Sequence, residues 1–285
     1  MRLMQKLALV DAALNLRRSL LSMAAVTLAA LCTMPVFAQD SDALAKAAQN
    51  PIASMISLPI QSNTNLNVGS GKGTQEVLNI QPVYPVSLNN DWNLITRTII
   101  PFISQPELSS GQGRTNGLGD MQFSAFISPV APTQSGWIWG AGAIAQLPTA
   151  TSDVLGQGKW GAGPTAVALK IDGPWVYGAL ANNVWSFAGG GGRRSVNQLL
   201  IQPFVNYNVP GRPGFYITTS PIITADWKAD SNQRWTVPIG LSVGQIMKWG
   251  TQPVNLQAAA YYNVDRPDGA ANWNLRLQLQ FLFPR

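Results

Sequence analysis

The amino-acid sequence predicts an all-β fold: a transmembrane, antiparallel, up-and-down β-barrel of about 12 strands with a short N-terminal helix. Three observations predict it: an export signal, strand-like alternation over most of the chain, and tryptophans grouped at strand ends. Charged residues make up only 11% of the 285 residues, whereas about a quarter is usual in soluble domains. The mean hydropathy of +0.06 is too low for a helical membrane protein, which needs about 20 apolar residues in a row for each span.

Residues 1–38 have the pattern of a secretory signal peptide. Basic residues precede an apolar run at Ser19–Leu31, and Val36-Phe37-Ala38 supplies the small-residue cleavage pattern. Cleavage there makes Gln39 the first mature residue and predicts an exported protein. The alternative is an uncleaved N-terminal membrane anchor, which the short apolar run does not favour.

Residues 39–55 form a short helical segment in this interpretation, and residues 56–285 form the barrel. Ser41 or Asp42 can cap the helix, and Pro51 ends it. From Ile56 onward, apolar and polar residues alternate with a period of two, which is typical of half-buried strands. The predicted strands are 56–68, 75–88, 92–103, 118–128, 137–147, 160–170, 175–187, 197–209, 215–228, 235–245, 253–263 and 272–283.

These strands are about 10–14 residues long, which suits tilted membrane strands of about 9–11 residues better than soluble strands of about 5–6. The two longest connections, 104–117 and 148–159, both follow odd-numbered strands. Short turns at one end and longer loops at the other are typical of outer-membrane barrels. The ten tryptophans fall at both ends of the predicted strands and not in their middles, as expected for aromatic belts at the two membrane interfaces.

The polar register of the strands predicts which side chains face the barrel interior. It includes the charged residues Arg97, Asp120, Lys170, Asp226, Lys228 and Arg276. An Arg or Lys facing lipid at mid-membrane would cost about 2–4 kcal/mol, so this placement agrees with a barrel. The candidate residues lining the lumen are Arg97, Asp120, Gln122, Gln202, Asp226, Arg276 and Gln280.

The sequence contains no histidine, which is the commonest general base near neutral pH. A Ser–His–Asp site and a His-ligated metal site are therefore impossible. The sequence predicts that the protein is not an enzyme and has no cofactor, metal site or catalytic residue. An Asp/Ser/Lys-type active site is the alternative that the missing histidine leaves open. The glycine-rich stretch 69–74 lacks the first glycine of a phosphate-binding loop and is interpreted as a hairpin loop.

The expected partners are outer-membrane lipid and lipopolysaccharide, the barrel-assembly machinery, and a small-molecule solute. Nucleic acid is not expected, since removal of the signal peptide leaves little net charge and no basic cluster beyond Arg193-Arg194. The expected location is the outer membrane, reached through the cleaved signal peptide.

Three short motifs resemble one family of bacterial outer-membrane barrels. They are Gly117-Leu118-Gly119-Asp120, Leu147-Pro148-Thr149-Ala150-Thr151 and Gly158-Lys159-Trp160-Gly161-Ala162-Gly163-Pro164. The chain resembles the family associated with the meta-pathway of phenol degradation, in the branch labelled "transporter" or, by a naming error, "neuromedin U". The resemblance covers most of residues 50–285, and it implies a role in the uptake of small, including aromatic, molecules.

The sequence thus favours a barrel that passes small solutes passively. The alternative is a non-conducting structural or surface-binding barrel whose long loops contact a partner. An interior of 12 strands lies between the filled interior of small barrels and the open channel of large ones, so the lumen is expected to be narrow or plugged. The N-terminal helix is the candidate for a plug.

Overall fold

A computed structural model describes residues 38–108, 111 and 113–284. The predicted signal peptide lies outside the described residues except for Ala38, where helix α1 (Ala38–Ala48) begins. The alanine-rich sequence favours a helix, and Pro51, whose ring restricts the preceding residue, follows shortly after its end. The predicted N-terminal helix is therefore confirmed.

Twelve strands follow along the described chain, three of which are interrupted once. They are β1 (Ile56–Val68), β2 (Gly73–Ile80 and Val83–Ser87), β3 (Trp92–Gln105), β4 (Thr115–Leu118 and Met121–Pro129), β5 (Trp137–Leu147), β6 (Lys159–Asp172), β7 (Trp175–Gly189), β8 (Asn197–Asn208), β9 (Phe215–Thr219 and Ile223–Asp226), β10 (Trp235–Trp249), β11 (Gln252–Asp265) and β12 (Trp273–Phe283). A 3₁₀ turn at Ser231–Gln233 lies between β9 and β10.

Each strand pairs antiparallel with its neighbour in sequence, and β12 pairs with β1 in a register that sets Gln61 opposite Gln278. The sheet is therefore a closed barrel of 12 strands, as the sequence predicts. Because the strand number is even, β1 begins and β12 ends at the same end of the barrel. We call that end, which also holds α1, the helix end, and the opposite one the loop end.

Alternation along the strands separates an apolar outer surface from the interior. On β10, Ile239 and Leu241 are 62% and 65% exposed on the outside, whereas Ser242 points inward and is buried.

One predicted orientation was wrong. Lys170 pairs with Trp137 and Tyr177 on the outer face of β6, because its neighbour Leu169 takes the inward position and is fully buried.

The interior has two chemically different sides. The apolar side is a buried cluster contributed mainly by β3, β4, β6, β7 and β8, and it packs against Ile52, which follows α1. Its barrel members are Ile95, Phe126, Val167, Leu169, Val176, Leu180 and Phe204. The polar side is formed by β9, β11, β12 and β1, whose inward side chains include Thr218, Asn255, Arg276 and Gln61.

Helix α1 lies against the barrel wall at the helix end. Ala45 is fully buried and belongs to a second apolar cluster with Met55, Ile246 and Leu282. Two polar contacts fix the segment to the turn between β8 and β9. Gln49 and Asn208 exchange amide hydrogen bonds of 2.9 and 3.1 Å, and the Gly214 amide donates to Asp42 Oδ1 at 2.9 Å.

Nine of the ten tryptophan side chains are exposed, and all ten lie near strand ends. Several pack edge-on against another aromatic ring, for example Trp92 on Trp139 at the helix end and Trp227 on Trp235 at the loop end, with ring centroids 6.1 and 5.7 Å apart. Among the described residues, no helix combines the length and the apolar character needed to cross a membrane.

Candidate functional site: a cavity inside the barrel

A cavity of about 170 Å³ lies between the α1 segment and the polar side of the interior. Residues Ala47–Pro51 form part of its lining at the helix end. The remaining lining comes from inward positions of β1, β2, β3, β7, β8, β9, β11 and β12. We call this space the central cavity.

Arg276 of β12 is the most tightly held charge in the central cavity. Arg276 is only 7% exposed. Nε donates to Asn63 Oδ1 at 3.1 Å, and Nη1 lies 3.5 Å from the Ser220 carbonyl oxygen. The guanidinium also stacks 5.1 Å from the ring centroid of Tyr261, which is a favourable cation–π geometry. These contacts orient the guanidinium but do not neutralise its charge.

Arg97 of β3 supplies a second positive charge to the same cavity. Its Nη2 donates a hydrogen bond to Gln81 Oε1, which again is a neutral partner. The charges of Arg97 and Arg276 repel each other. None of the described residues that line the cavity is acidic.

Ion pairs occur elsewhere in the described chain, at the loop end. Arg193 pairs with Asp153 at 3.4 Å and Arg194 with Asp226 at 3.2 Å. A buried charge without a counter-ion is costly. Two uncompensated guanidinium groups in one cavity therefore make it a favourable place for an anion, since carboxylates and phosphates bind guanidinium through charge-assisted hydrogen bonds.

A further cavity group is left without a partner. Among the residues that the structure describes, the buried Thr218 hydroxyl oxygen has no hydrogen-bond partner, although buried polar groups are nearly always satisfied. Thr218 lines the cavity together with Arg276. A polar ligand or water in the cavity could satisfy it.

The opposite boundary of the central cavity is apolar. Val83, Leu180 and Phe204 line it there, and Phe204 belongs to the buried apolar cluster. An apolar cavity of about 150 Å³ is large enough for a benzene ring. The central cavity can therefore hold a small molecule that has both an anionic group and an apolar body.

The structure brings four of the seven predicted lumen residues to the central cavity: Arg97, Gln202, Arg276 and Gln280. Gln122 of β4 does not line it, but stands opposite Gln146 of β5. Further lining residues, which were not among the predicted lumen residues, include Tyr216, Thr218 and Asn255. The strand alternation indicates all three, because each falls on the polar register. The α1 segment, the candidate plug, also lines the cavity through Ala47–Pro51.

Asp120 and Asp226 lie at the loop end, away from the cavity lining. Asp120 Oδ2 accepts hydrogen bonds from the backbone N–H groups of Gln157 and Gly158 at 2.5 and 3.2 Å. Its Oδ1 accepts one from the backbone N–H of Ala150 at 3.1 Å. Asp226 accepts the Lys228 amide at 2.9 Å in addition to its ion pair. Both carboxylates therefore order loops, which explains why they do not neutralise the cavity arginines.

Comparison with known proteins identifies the fold. No family model matches the chain, and no curated protein sequence matches it. An outer membrane channel from Pseudomonas putida F1 is 18% identical with a TM-score of 0.60, covering 82% of this chain and 97% of that one. The NanC porin is 10% identical with a TM-score of 0.51, covering 81% of this chain and all (100%) of the other. The fold of this chain is that of outer-membrane β-barrels.

The prediction that the protein is not an enzyme is corrected, because enzymes occur among outer-membrane barrels of this general shape. Outer membrane phospholipase A from Escherichia coli, an enzyme, is 10% identical with a TM-score of 0.43, covering 86% of this chain and 98% of that one. The missing histidine excludes only chemistries that need imidazole, so the general exclusion went too far. The likeness assigns no activity to this chain. Within the described residues, no group of three or more acidic, His or Cys side chains could hold a metal ion.

Proposed function

We propose that this protein is an outer-membrane channel for small solutes, with a preference for anions set by the central cavity. The observation that carries the proposal is the pair of arginines, Arg97 and Arg276, in a cavity whose described lining has no acidic residue. A solute that crosses the barrel must replace part of its hydration shell with cavity groups. Anions gain from two positive charges at this point, and cations are repelled.

The proposed setting is a bacterial outer membrane reached through the cleaved signal peptide. The exposed tryptophans at both ends of the wall suit the headgroup regions, where the ring is apolar and the indole N–H stays wet. The outer face of β10, with Ile239 and Leu241, suits the hydrocarbon region. The helix end faces the periplasm in this placement, because both ends of the barrel domain lie there and the chain is delivered from that side.

The solutes that fit best are small organic anions with an apolar or aromatic body. The cavity volume of about 170 Å³ suits a single ring, with Phe204 and Leu180 on one side and the arginines on the other. The family resemblance of the sequence, with its implied uptake of aromatic molecules, agrees with this solute class.

Ion selectivity in a planar lipid bilayer tests the proposal. In a KCl gradient, the reversal potential should show that wild type prefers chloride. Arg97→Gln and Arg276→Gln should each reduce this preference, and the double variant should bring the permeability ratio to about one, because each change removes one cavity charge. Lys170→Gln is the matched control, since it removes a positive charge from the outer face of the barrel and should leave the selectivity unchanged.

The α1 segment supports a second candidate function. It closes part of the helix end through Gln49, Asp42 and the buried Ala45, as a plug in a non-conducting structural barrel would. Deleting residues 40–50 should increase the conductance if α1 gates a channel. If neither wild type nor this deletion conducts, the channel is refuted and the structural barrel is favoured.

A further inference from the structure

Two arginines at the loop end lie on exposed aromatic rings of the barrel's outer surface. The guanidinium carbon of Arg234 is 5.5 Å from the ring centroid of Trp227, and that of Arg266 is 6.0 Å from the ring centroid of Tyr262. Trp227 is 37% exposed and Tyr262 is 39% exposed. Aromatic belts mark the level of the lipid headgroups in a membrane barrel, so both guanidinium groups are held where headgroup phosphates lie. We call Arg234 and Arg266 the rim arginines.

The rim arginines are not neutralised by a carboxylate. Arg234 Nη2 lies 3.5 Å from the Ala229 carbonyl oxygen, and the buried Nε has no hydrogen-bond partner among the described residues. Arg266 Nη1 donates to the Asn263 carbonyl oxygen at 3.0 Å. Although Asp265 precedes Arg266, neither rim arginine forms an ion pair in the described part of the chain. Both keep charged N–H donors for an anion, and guanidinium suits phosphate because it can donate two parallel hydrogen bonds.

A reciprocal pair of hydrogen bonds joins the two loops that carry the rim arginines. Arg234 ends the loop before β10, and Arg266 begins the loop after β11. Gln233 Nε2 donates to Asp268 Oδ2 at 3.0 Å, and Gln233 Oε1 accepts from the Asp268 backbone N–H at 2.7 Å. The pair fixes one loop to the other and occupies the carboxylate of Asp268. The rim arginines therefore belong to one ordered surface.

The outer surface next to the rim arginines, toward the middle of the barrel, is apolar. Tyr262 stands opposite Ile239 of β10, which together with Leu241 is among the most exposed apolar residues of the wall. Trp273 of β12 packs edge-on against Tyr262, with ring centroids 5.2 Å apart. From the loop end inward, the surface thus changes from cation to aromatic ring to aliphatic side chain. A lipid presents the matching order of phosphate, headgroup backbone and acyl chain.

We infer that the rim arginines and the apolar surface beside them bind lipid A, the membrane anchor of lipopolysaccharide. Lipid A bears a phosphate at each end of a disaccharide and several acyl chains. Two cations on one ordered surface suit such a molecule better than a lipid with a single phosphate or free phosphate, since each guanidinium takes one phosphate. The acyl chains lie along Ile239 and Leu241. The inference uses the proposed placement of the loop end on the outside of the cell, but it is independent of solute conduction.

A titration followed by native mass spectrometry tests the site. Lipid A with both phosphates is added to the purified protein in detergent, and the bound fraction gives the dissociation constant. Arg234→Gln and Arg266→Gln should each weaken binding by about tenfold, because each removes one charge-assisted contact. The matched control is Arg212→Gln at the helix end, where the Arg212 guanidinium lies 5.8 Å from the Phe215 ring centroid. It removes an arginine from the same kind of aromatic pair and should leave the affinity unchanged.

Changing the ligand instead of the protein guards against misfolding of the variants. Monophosphoryl lipid A should bind wild type about tenfold more weakly than the form with both phosphates, since one rim arginine then has no partner. The double variant R234K/R266K keeps both charges and should bind lipid A more tightly than R234Q/R266Q. Phosphatidylglycerol and inorganic phosphate, added as competitors, should displace lipid A poorly.

Several outcomes would overturn the assignment. Equal binding of the two forms of lipid A would show that the second phosphate is not recognised. Equal loss of affinity in Arg212→Gln would show that the rim arginines are not special. Efficient displacement by phosphatidylglycerol would indicate a site for any anionic lipid, and displacement by inorganic phosphate would indicate a site for the free ion. Chloride selectivity is measured separately in the planar bilayer, so failure of the channel proposal leaves this result unaffected.

Discussion

The apolar and polar sides of the barrel interior are built from the same strand pattern but stabilised by different forces. Inward positions of β3 to β8 carry Ile95, Phe126 and Leu169, which fill space and exclude water. Inward positions of β12 and β1 carry Arg276 and Asn63, which are joined by hydrogen bonds. One half of the wall therefore acts as a packed core, and the other half is a hydrogen-bonded polar surface that lines the central cavity.

Truncating an inward side chain should have the largest effect on the apolar side. Leu169 is fully buried in the cluster, so Leu169→Ala should destabilise the folded barrel by about 2–5 kcal/mol through lost burial and the cavity left behind. Gln278→Ala, at a cavity-lining position of β12, should cost less than about 1 kcal/mol. Urea titration of refolding into lipid vesicles measures both. Equal losses would contradict the division of the interior into a packed core and a polar surface.

Introducing a charge sharpens the contrast between the outer and the inner face. Ile239 is exposed on the outside, so Ile239→Arg should destabilise the barrel by about 2–4 kcal/mol in lipid. Gln278→Arg places the same charge in the polar cavity and should cost much less. The same titration decides, and a larger loss for Gln278→Arg would show that the strand alternation is assigned to the wrong faces.

The smallest predicted effect concerns a single hydroxyl on the polar side. The Tyr261 hydroxyl accepts a hydrogen bond from the backbone N–H of Ser220 at 3.0 Å and shares a second hydrogen bond of 3.0 Å with Ser242 Oγ. Tyr261→Phe leaves a backbone donor without its partner and should cost about 1–3 kcal/mol. The neighbouring Tyr262→Phe, on the exposed outer face, is the matched control and should be close to neutral. A neutral Tyr261→Phe would mean that water replaces the hydroxyl, and that the polar side does not depend on this contact.

Particular strands show how far a sequence of this kind can be interpreted. Strands β1 and β5 begin and end where the alternation predicts, because a period of two is a local property of the chain. The alternation assigned Arg97 and Arg276 to the interior for the same reason. The alternation assigned Lys170 to the wrong face of β6. Both faces of β6 carry apolar residues near Lys170, so only packing decides which face turns inward.

The sequence by itself determined the barrel class, the strand number and the interior position of most polar side chains, because these follow from residue periodicity and the closure of a sheet. Tertiary structure alone decided that Arg97 and Arg276, which lie on strands separated by β1 and β2, face the same cavity without an acid. It also decided that Asp120 and Asp226 are used by loops, and that Gln49 and Asp42 hold the α1 segment at the helix end. Each of these depends on contacts between residues far apart in the chain, which no local pattern specifies.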